Sequence, residues 1–318
     1  MKKWALLWAC LCWTGWARAD SSGADFLVAD IPARPAALAG AFAAYDDDSN
    51  AFLWNPAALA KLGQTSLSAT HFSSVVDTSY DQASLGIPID GWGGLGLSVQ
   101  HSSTSNLDET DLAGNDLGSI PNGDWVLDFG YGVTVMTGLN LGLGLRGFDS
   151  RLAEFDSQGY AVDLGLQNDI NRRLTFGLAL DNLGQAQAYD QVSDPLPSLL
   201  RLGFRGLLVD SKEVLITAAA ELDRPWNTSD PLLLALGAEY WYEGLVAFRV
   251  GYRFGVDNGN LSLGLGLKWI GLDFDYAYVS QGDLGQTHRF SISAELGTLY
   301  EKAERYLPSP DPPQRNTR

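Results

Sequence analysis

Leu232, Leu234, Leu236, Ala238, Tyr240, Tyr242; Val246, Phe248, Val250, Tyr252, Phe254; Leu261, Leu263, Leu265, Leu267, Trp269; Leu272, Phe274, Tyr276, Tyr278: in four successive runs every second residue is apolar. The residues between are mostly Gly, Ser and charged side chains, among them Glu239, Arg249, Arg253, Lys268, Asp273 and Asp275. A period of two makes a strand with one greasy face and one wet face. Strand follows strand with only a turn between and no helix intervening, which is the pattern of a closed antiparallel sheet.

Working outward from that stretch, the alternation predicts fourteen strands: 65–74, 79–89, 92–103, 123–136, 139–149, 158–169, 173–183, 198–208, 212–222, 232–242, 245–255, 260–269, 271–280 and 287–296. Most have the length a tilted strand needs to cross a bilayer, roughly 9–11 residues. Connections after even-numbered strands are short: Asp90-Gly91, Thr137-Gly138, Asn171-Arg172, Asp210-Ser211, Glu243-Gly244 and Gly271. Those after odd-numbered strands are longer: 104–122, 150–157, 184–197, 223–231, 256–259 and 281–286. Short periplasmic turns and longer outer loops are the signature of a bacterial outer-membrane barrel, and an even strand count puts both ends of the ring on the periplasmic side.

Aromatic residues fall at two levels on the apolar phase: Trp125, Tyr160 and Tyr278 at the loop ends, Tyr242 and Trp269 at the turn ends. Two such belts form an interfacial girdle. The polar phase defines the lumen. Its charges alternate in sign, with Arg201, Arg205, Glu239, Arg249, Arg253, Lys268, Asp273, Asp275 and Arg289 as a ladder in the second half and Asp128, Arg146, Asp163, Asp181, Glu221 and Glu295 around it. Mixed signs suit a neutral, paired interior better than an ion-selective pore, which favours one sign. Gly130, Gly132, Gly142, Gly144, Gly165, Gly177, Gly264 and Gly266 share this phase, and a strand glycine marks close approach of another backbone.

Acidic residues outnumber basic ones, 38 to 21, for a net charge of −17. That argues against nucleic acid as a partner. Met1-Lys2-Lys3, an apolar run from Trp4 to Trp16 and small residues at Ala17 and Ala19 predict a cleaved secretory leader over 1–19. Both cysteines, Cys10 and Cys12, lie within it, so no disulfide or thiolate metal site is expected beyond it. The division expected is leader 1–19, a small inserted N-terminal plug over 20–63, the barrel over 64–297, and a charged, Pro-rich periplasmic tail over 298–318. The N-terminal segment is Ala-rich and partly helical. Its Asp46-Asp47-Asp48 run is an acidic turn, Ser49 or Asn50 is a helix cap, and Asn55-Pro56 marks a helix start. The lumen glycines predict that this segment packs inside the barrel.

No catalytic constellation emerges. His71, His101 and His288 fall on or near the apolar phase, and the Gly-rich runs sit mid-strand, away from any strand-to-helix junction. Asp46–Asp48 lack the spaced ligands of a calcium loop, so pairing with lumen arginines is the expected use of these carboxylates. No metal and no cofactor are predicted.

From Ala33-Arg34-Pro35 through Ala39-Gly40-Ala41-Phe42 and Asp46-Asp47-Asp48 to Trp54-Asn55-Pro56-Ala57-Ala58-Leu59, the chain resembles FadL-like outer-membrane proteins, and most of all their PorV/PorQ branch. Gly237-Ala238-Glu239-Tyr240, Arg249-Val250-Gly251-Tyr252-Arg253, Asp275-Tyr276-Ala277-Tyr278 and Thr287-His288-Arg289-Phe290-Ser291 carry the resemblance at the far end. The resemblance implies an all-β, 14-stranded antiparallel transmembrane barrel of the bacterial outer membrane, plugged by the Asn55-Pro56-Ala57 segment. One departure is that the chain does not end on its last strand. The charged lumen points to a non-catalytic, PorV-like role that docks or shuttles secreted proteins, with a secretion translocon or secreted cargo as partner beside outer-membrane lipid. The alternative is FadL-like uptake of long-chain fatty acids or other hydrophobic small molecules.

Overall fold

The computed structural model describes residues 23–74, 77–184, 187–189, 192–226, 230–256 and 260–297. The expected leader and the tail after 297 lie outside them. Fourteen strands close into one antiparallel barrel in which each pairs with its neighbours in sequence and the first with the last. They are β1 (Ser66–Ser73), β2 (Thr78–Ile89), β3 (Gly93–Thr104), β4 (Asn122–Met136), β5 (Leu139–Leu152), β6 (Phe155–Asn171), β7 (Leu174–Gly184), β8 (Leu199–Asp210), β9 (Val214–Pro225), β10 (Leu233–Tyr242), β11 (Val246–Phe254), β12 (Leu261–Trp269), β13 (Leu272–Ser280) and β14 (Gln286–Glu295). β1 closes on β14 in unbroken register from Ser66 opposite Glu295 to Ser73 opposite His288.

The two faces follow the two-residue phase. In β12, Leu261, Leu263, Leu265 and Leu267 are 40–49% exposed, while Ser262, Gly264 and Gly266 between them are buried. An apolar wall of this extent exceeds the few-hundred-Å² patches that soluble proteins tolerate. Such a wall suits contact with hydrocarbon, where closure leaves no unpaired sheet edge to desolvate. No described helix is long and apolar enough to cross a membrane.

The turn rim follows the local chemistry. Trp269 pairs with Leu272, so Ile270 and Gly271 alone make that hairpin, with φ of +54° and +78°. Both are left-handed, as a type I′ turn requires. Glycine adopts such a φ freely, whereas β-branched Ile270 is strained there. The opposite rim differs from expectation at 150–157. The pairing of β5 with β6 continues to Leu152 opposite Phe155, leaving a two-residue turn at Ala153 and Glu154. Alternation breaks down here because a hairpin standing in water has no greasy side to keep. Short hairpins also occupy the loops at Asp108–Thr110/Asp116–Ser119 and Gln187–Tyr189/Val192–Asp194. At the tip of the first, the Asn115 side chain and the Asn115 and Ala113 backbone donate to Asp111 and hold its carboxyl below the usual range.

The core lies inside the ring. Leu38, Phe42, Tyr45 and Trp54 cluster with Ala219 of β9 and Ala235 of β10, each 8% exposed or less. Phe42 stacks on Tyr45 at 4.5 Å and meets Trp54 edge-on at 5.6 Å. This N-terminal segment is less helical than its alanines suggest. Only Ala33–Ala37 is α-helical (α1), with single 3-10 pieces at Asp25–Val28, Ala51–Leu53 and Pro56–Lys61. α1 ends where Ala39 and Gly40 turn left-handed, at φ +56° and +84°, and the Gly40 N–H closes on the Pro35 carbonyl at 2.9 Å.

The lumen glycines divide into two groups. A Cβ on Gly132 would stand 2.7 Å from the Pro56 carbonyl, and one on Gly142 would overlap the Pro56–Ala57 peptide. Gly144 and Gly266 instead leave room for charged side chains, Asp163 and the Arg249–Asp275 pair. Gly132→Val is therefore expected to cost about 1–3 kcal/mol by overpacking and to lower the midpoint of the heat-induced gel shift. Gly147→Ala should leave that midpoint unchanged, because a Cβ there meets nothing within 4 Å.

Candidate functional site

The lumen holds two charge clusters, one at each end of the N-terminal segment. At the turn rim the hub is Arg34, a lone cation in an Ala/Pro stretch. Its Nε and Nη2 donate to both carboxylate oxygens of Glu239 at 2.9 Å, and it also meets Asp47 at 3.1 Å and Asp48 at 3.4 Å. The Phe42 and Tyr45 rings lie 5.6 and 5.4 Å from its guanidinium. Arg249 continues the chain, joining Glu239 and Asp275 at 2.6 Å each. Asp46 takes Lys61 at 2.6 Å and Arg205 at 2.8 Å, and Lys61 also reaches Asp169. Lys268 pairs with Asp273 at 2.9 Å.

At the loop rim the hub is Arg201, which meets Asp181 at 2.6 Å and Glu221 and Asp223 at 3.3 Å. Glu221 Oε2 also accepts the backbone N–H groups of Phe42 and Ala43 at 2.8 and 2.7 Å. Arg253 pairs with Asp30 and donates to the Ala39 carbonyl. Arg146 joins Asp128, the Asn182 side chain and the Leu27 carbonyl.

Asn55 sits between these clusters, fully buried. Its Oδ1 accepts from Ala57 N, while its Nδ2 donates to Ala43 O at 2.9 Å and to Leu166 O of β6 at 3.0 Å. Pro56 at the next position needs no hydrogen-bond acceptor, so the turn leaves no orphan donor there. Trp54 packs in the core, but its buried Nε1 has no partner. Asn50 stands at the N-cap of Ala51–Leu53 without a side-chain cap bond. It bonds Asp48, Ser68 and Ser84 instead. Among the described residues no group of His, Cys, Asp or Glu is arranged to hold a metal.

Two pairings depart from the sequence order. Arg253 reaches the N-terminal segment rather than Glu239 one strand away. Asp275 goes to Arg249 and leaves Arg289, on the strand beside it, without that partner. On the outer face Trp125, Tyr160, Tyr242 and Trp269 are 44–62% exposed, and Tyr278 is half-buried against His288. Sequence reading overlooked Arg34 as the hub, together with Asp30, Lys61 and Trp241. Trp241 breaks the phase rule by facing inward, where Arg249 and Lys268 lie over its ring at 5.3 and 5.5 Å. The signal for Arg34 was available: a single charge inside an apolar run, where an unpaired cation is expensive.

Two hollows of about 370 Å³ each flank the segment. The turn-rim hollow is lined by Arg34, Asp46–Asp48, Lys61 and Asp273. The loop-rim hollow is lined by Val28, Asp30, Leu199, Arg201, Pro231 and Leu233. Residues 31–59 stand between them.

No family model and no curated protein matches the sequence. Solved structures do. The Ralstonia pickettii toluene transporter TbuX aligns with a TM-score of 0.57 at 16% identity, over 83% of this chain and 98% of that one. The Pseudomonas putida toluene transporter TodX aligns with a TM-score of 0.60 at 13% identity, and a Pseudomonas aeruginosa FadL homologue with 0.58 at 13%, each over 83% of this chain and 98% of its own. The fold is that of the FadL-like 14-stranded outer-membrane barrels. The structures named here are transporters and a FadL homologue; none is described as a secretion component, and the docking expectation finds no support among them.

Removing Glu239 takes the bidentate partner from Arg34 and one of two carboxylates from Arg249, both buried. Glu239→Ala is expected to cost about 3–5 kcal/mol, as breaking a buried pair does. Lys268→Ala breaks a pair whose side chains are 40% and 22% exposed, and should cost no more than about 1 kcal/mol. Urea unfolding of the two variants in detergent or lipid checks both values.

Proposed function

We propose that this protein is an outer-membrane channel for hydrophobic small molecules, closed at rest by its own N-terminal segment. The observation that carries the reading is the lumen itself: a FadL-like ring whose bore is occupied between two hollows by residues 31–59. Hydrophobic solutes cross the outer leaflet poorly, and a barrel that admits them needs an apolar mouth and a bore that does not leak water. The loop-rim hollow offers Val28, Leu199, Pro225, Pro231 and Leu233 on its lining, beside the paired charges of Asp30, Arg201 and Arg253. Below it, the segment is tied by side-chain bonds to β6, β8, β9, β10, β11 and β14, which suits an element that keeps the bore shut at rest. The description of TbuX and TodX as toluene transporters supports the hydrophobic class over protein docking.

The test is uptake. Cells lacking their own hydrocarbon channels and expressing this chain should accumulate labelled toluene faster than cells with an empty vector. Deleting residues 31–61 should raise ion conductance across a planar bilayer from near zero. Uptake no faster than the control, with the barrel folded in the outer membrane, would overturn the transport reading. A bore already conducting in the full chain would overturn the closed state.

A further inference from the structure

Six inward arginines, Arg34, Arg146, Arg201, Arg205, Arg249 and Arg253, each meet at least one carboxylate. Arg289 does not. It lies on the inner face of β14, 7% exposed, opposite Phe72 of β1 and Ala277 of β13. The neighbouring acids are committed elsewhere, Asp275 to Arg249 and Asp30 to Arg253. No carboxylate among the described residues lies within ion-pair distance of it, and its buried Nε has no hydrogen-bond partner.

The surroundings are specific. The guanidinium lies 4.5 Å over the Phe72 ring, and Phe72 stacks on Tyr80 of β2 at 4.7 Å with the planes 5° apart. One step toward the loop rim on the same inner face, Thr287 Oγ1 is buried and unpartnered. Ser262 Oγ of β12, level with it across Val279, is unpartnered too. A buried cation without an anion is costly, and proteins keep one where a partner arrives from outside. A planar guanidinium fits a carboxylate through two parallel N–H bonds. A stacked aromatic pair beside it offers a face and an edge to a flat apolar body.

We propose that Arg289, with Phe72 and Tyr80, forms a receiving site for the carboxylate of a small aromatic acid inside the lumen. This deepens the channel reading and rests on it: the solute favoured at this point carries an anionic head, unlike a neutral hydrocarbon. The carboxylate pairs with Arg289, the unpartnered hydroxyls of Thr287 and Ser262 lie on the same inner face toward the loop rim, and the ring packs against Tyr80, which is only partly buried.

Titration calorimetry on the full chain in lipid nanodiscs, with benzoate and benzyl alcohol as matched probes, tests the site. The wild type should bind benzoate about tenfold more tightly than the alcohol, the size expected for a charge-assisted bond. Arg289→Gln should reduce benzoate to the level of the alcohol and leave the alcohol unchanged, and Arg289→Lys should retain part of the preference. Equal binding of both probes by the wild type, or a preference that survives Arg289→Gln, overturns the site while leaving the channel reading intact if toluene is still taken up. If neither probe binds and toluene is not taken up, both fall. The heat-shift midpoint of Arg289→Gln should match or exceed the wild type, since no ion pair is lost. A drop as large as that of Glu239→Ala would make Arg289 a structural group and overturn the proposal.

Discussion

Closure of β1 on β14 is the constraint from which the rest follows. In hydrocarbon an unpaired backbone N–H or C=O has no water to turn to, so the sheet must return to its own first strand. Eight consecutive residue pairs, from Ser66 with Glu295 to Ser73 with His288, make that return. Once the ring is closed, the two-residue pleat sends each second side chain into lipid and the others inward. The outward set must be apolar. The inward set faces a narrow bore, where bulky side chains from fourteen strands would collide if all were large. Small and polar residues occupy it, and the N-terminal segment fills the remaining volume.

That filling creates an electrostatic problem and solves it with the same residues. The segment brings Asp30, Arg34, Asp46, Asp47, Asp48 and Lys61 into a wall that presents Glu239, Arg253, Arg205 and Asp169. Buried ion pairs add little net stability compared with apolar residues of the same shape, because desolvation cancels much of the Coulomb gain. What they supply here is placement. Arg34 has its acids only where Glu239 and the Asp47–Asp48 turn converge, and a shift of one residue along the wall would leave several charges unpaired. The interior is thus held in one register, while the loss of any one partner is expensive.

The strand phase is legible in the sequence because lipid imposes it on every strand in the same way. The expectation weakens where that pressure stops. β5 and β6 run on past the bilayer as a hairpin in water, so the 150–157 loop is mispredicted. Trp241 is apolar yet faces inward, because cations from β11 and β12 lie over its ring. The charges on the inner face are legible as a set, but their pairing is not. An arginine side chain reaches across a strand or into the bore, so strand adjacency does not decide between Asp275 with Arg289 and Asp275 with Arg249. The alanines of the N-terminal segment suggest more helix than forms, since left-handed residues at Ala39 and Gly40 bend the chain back after five helical residues. A charged lumen suggests a poor path for greasy cargo and so favours a docking role, but those charges are largely neutralised among themselves.

The account stands on a wall that meets lipid and a bore that holds the N-terminal segment. Single-tryptophan variants in vesicles of brominated lipid test this most directly. Fluorescence from Trp269 and Trp125, on the outer face, should be strongly quenched, while Trp54 and Trp241 should be no more quenched than in unbrominated lipid. Quenching of Trp54 comparable to that of Trp269 would place the segment outside the barrel and contradict the account.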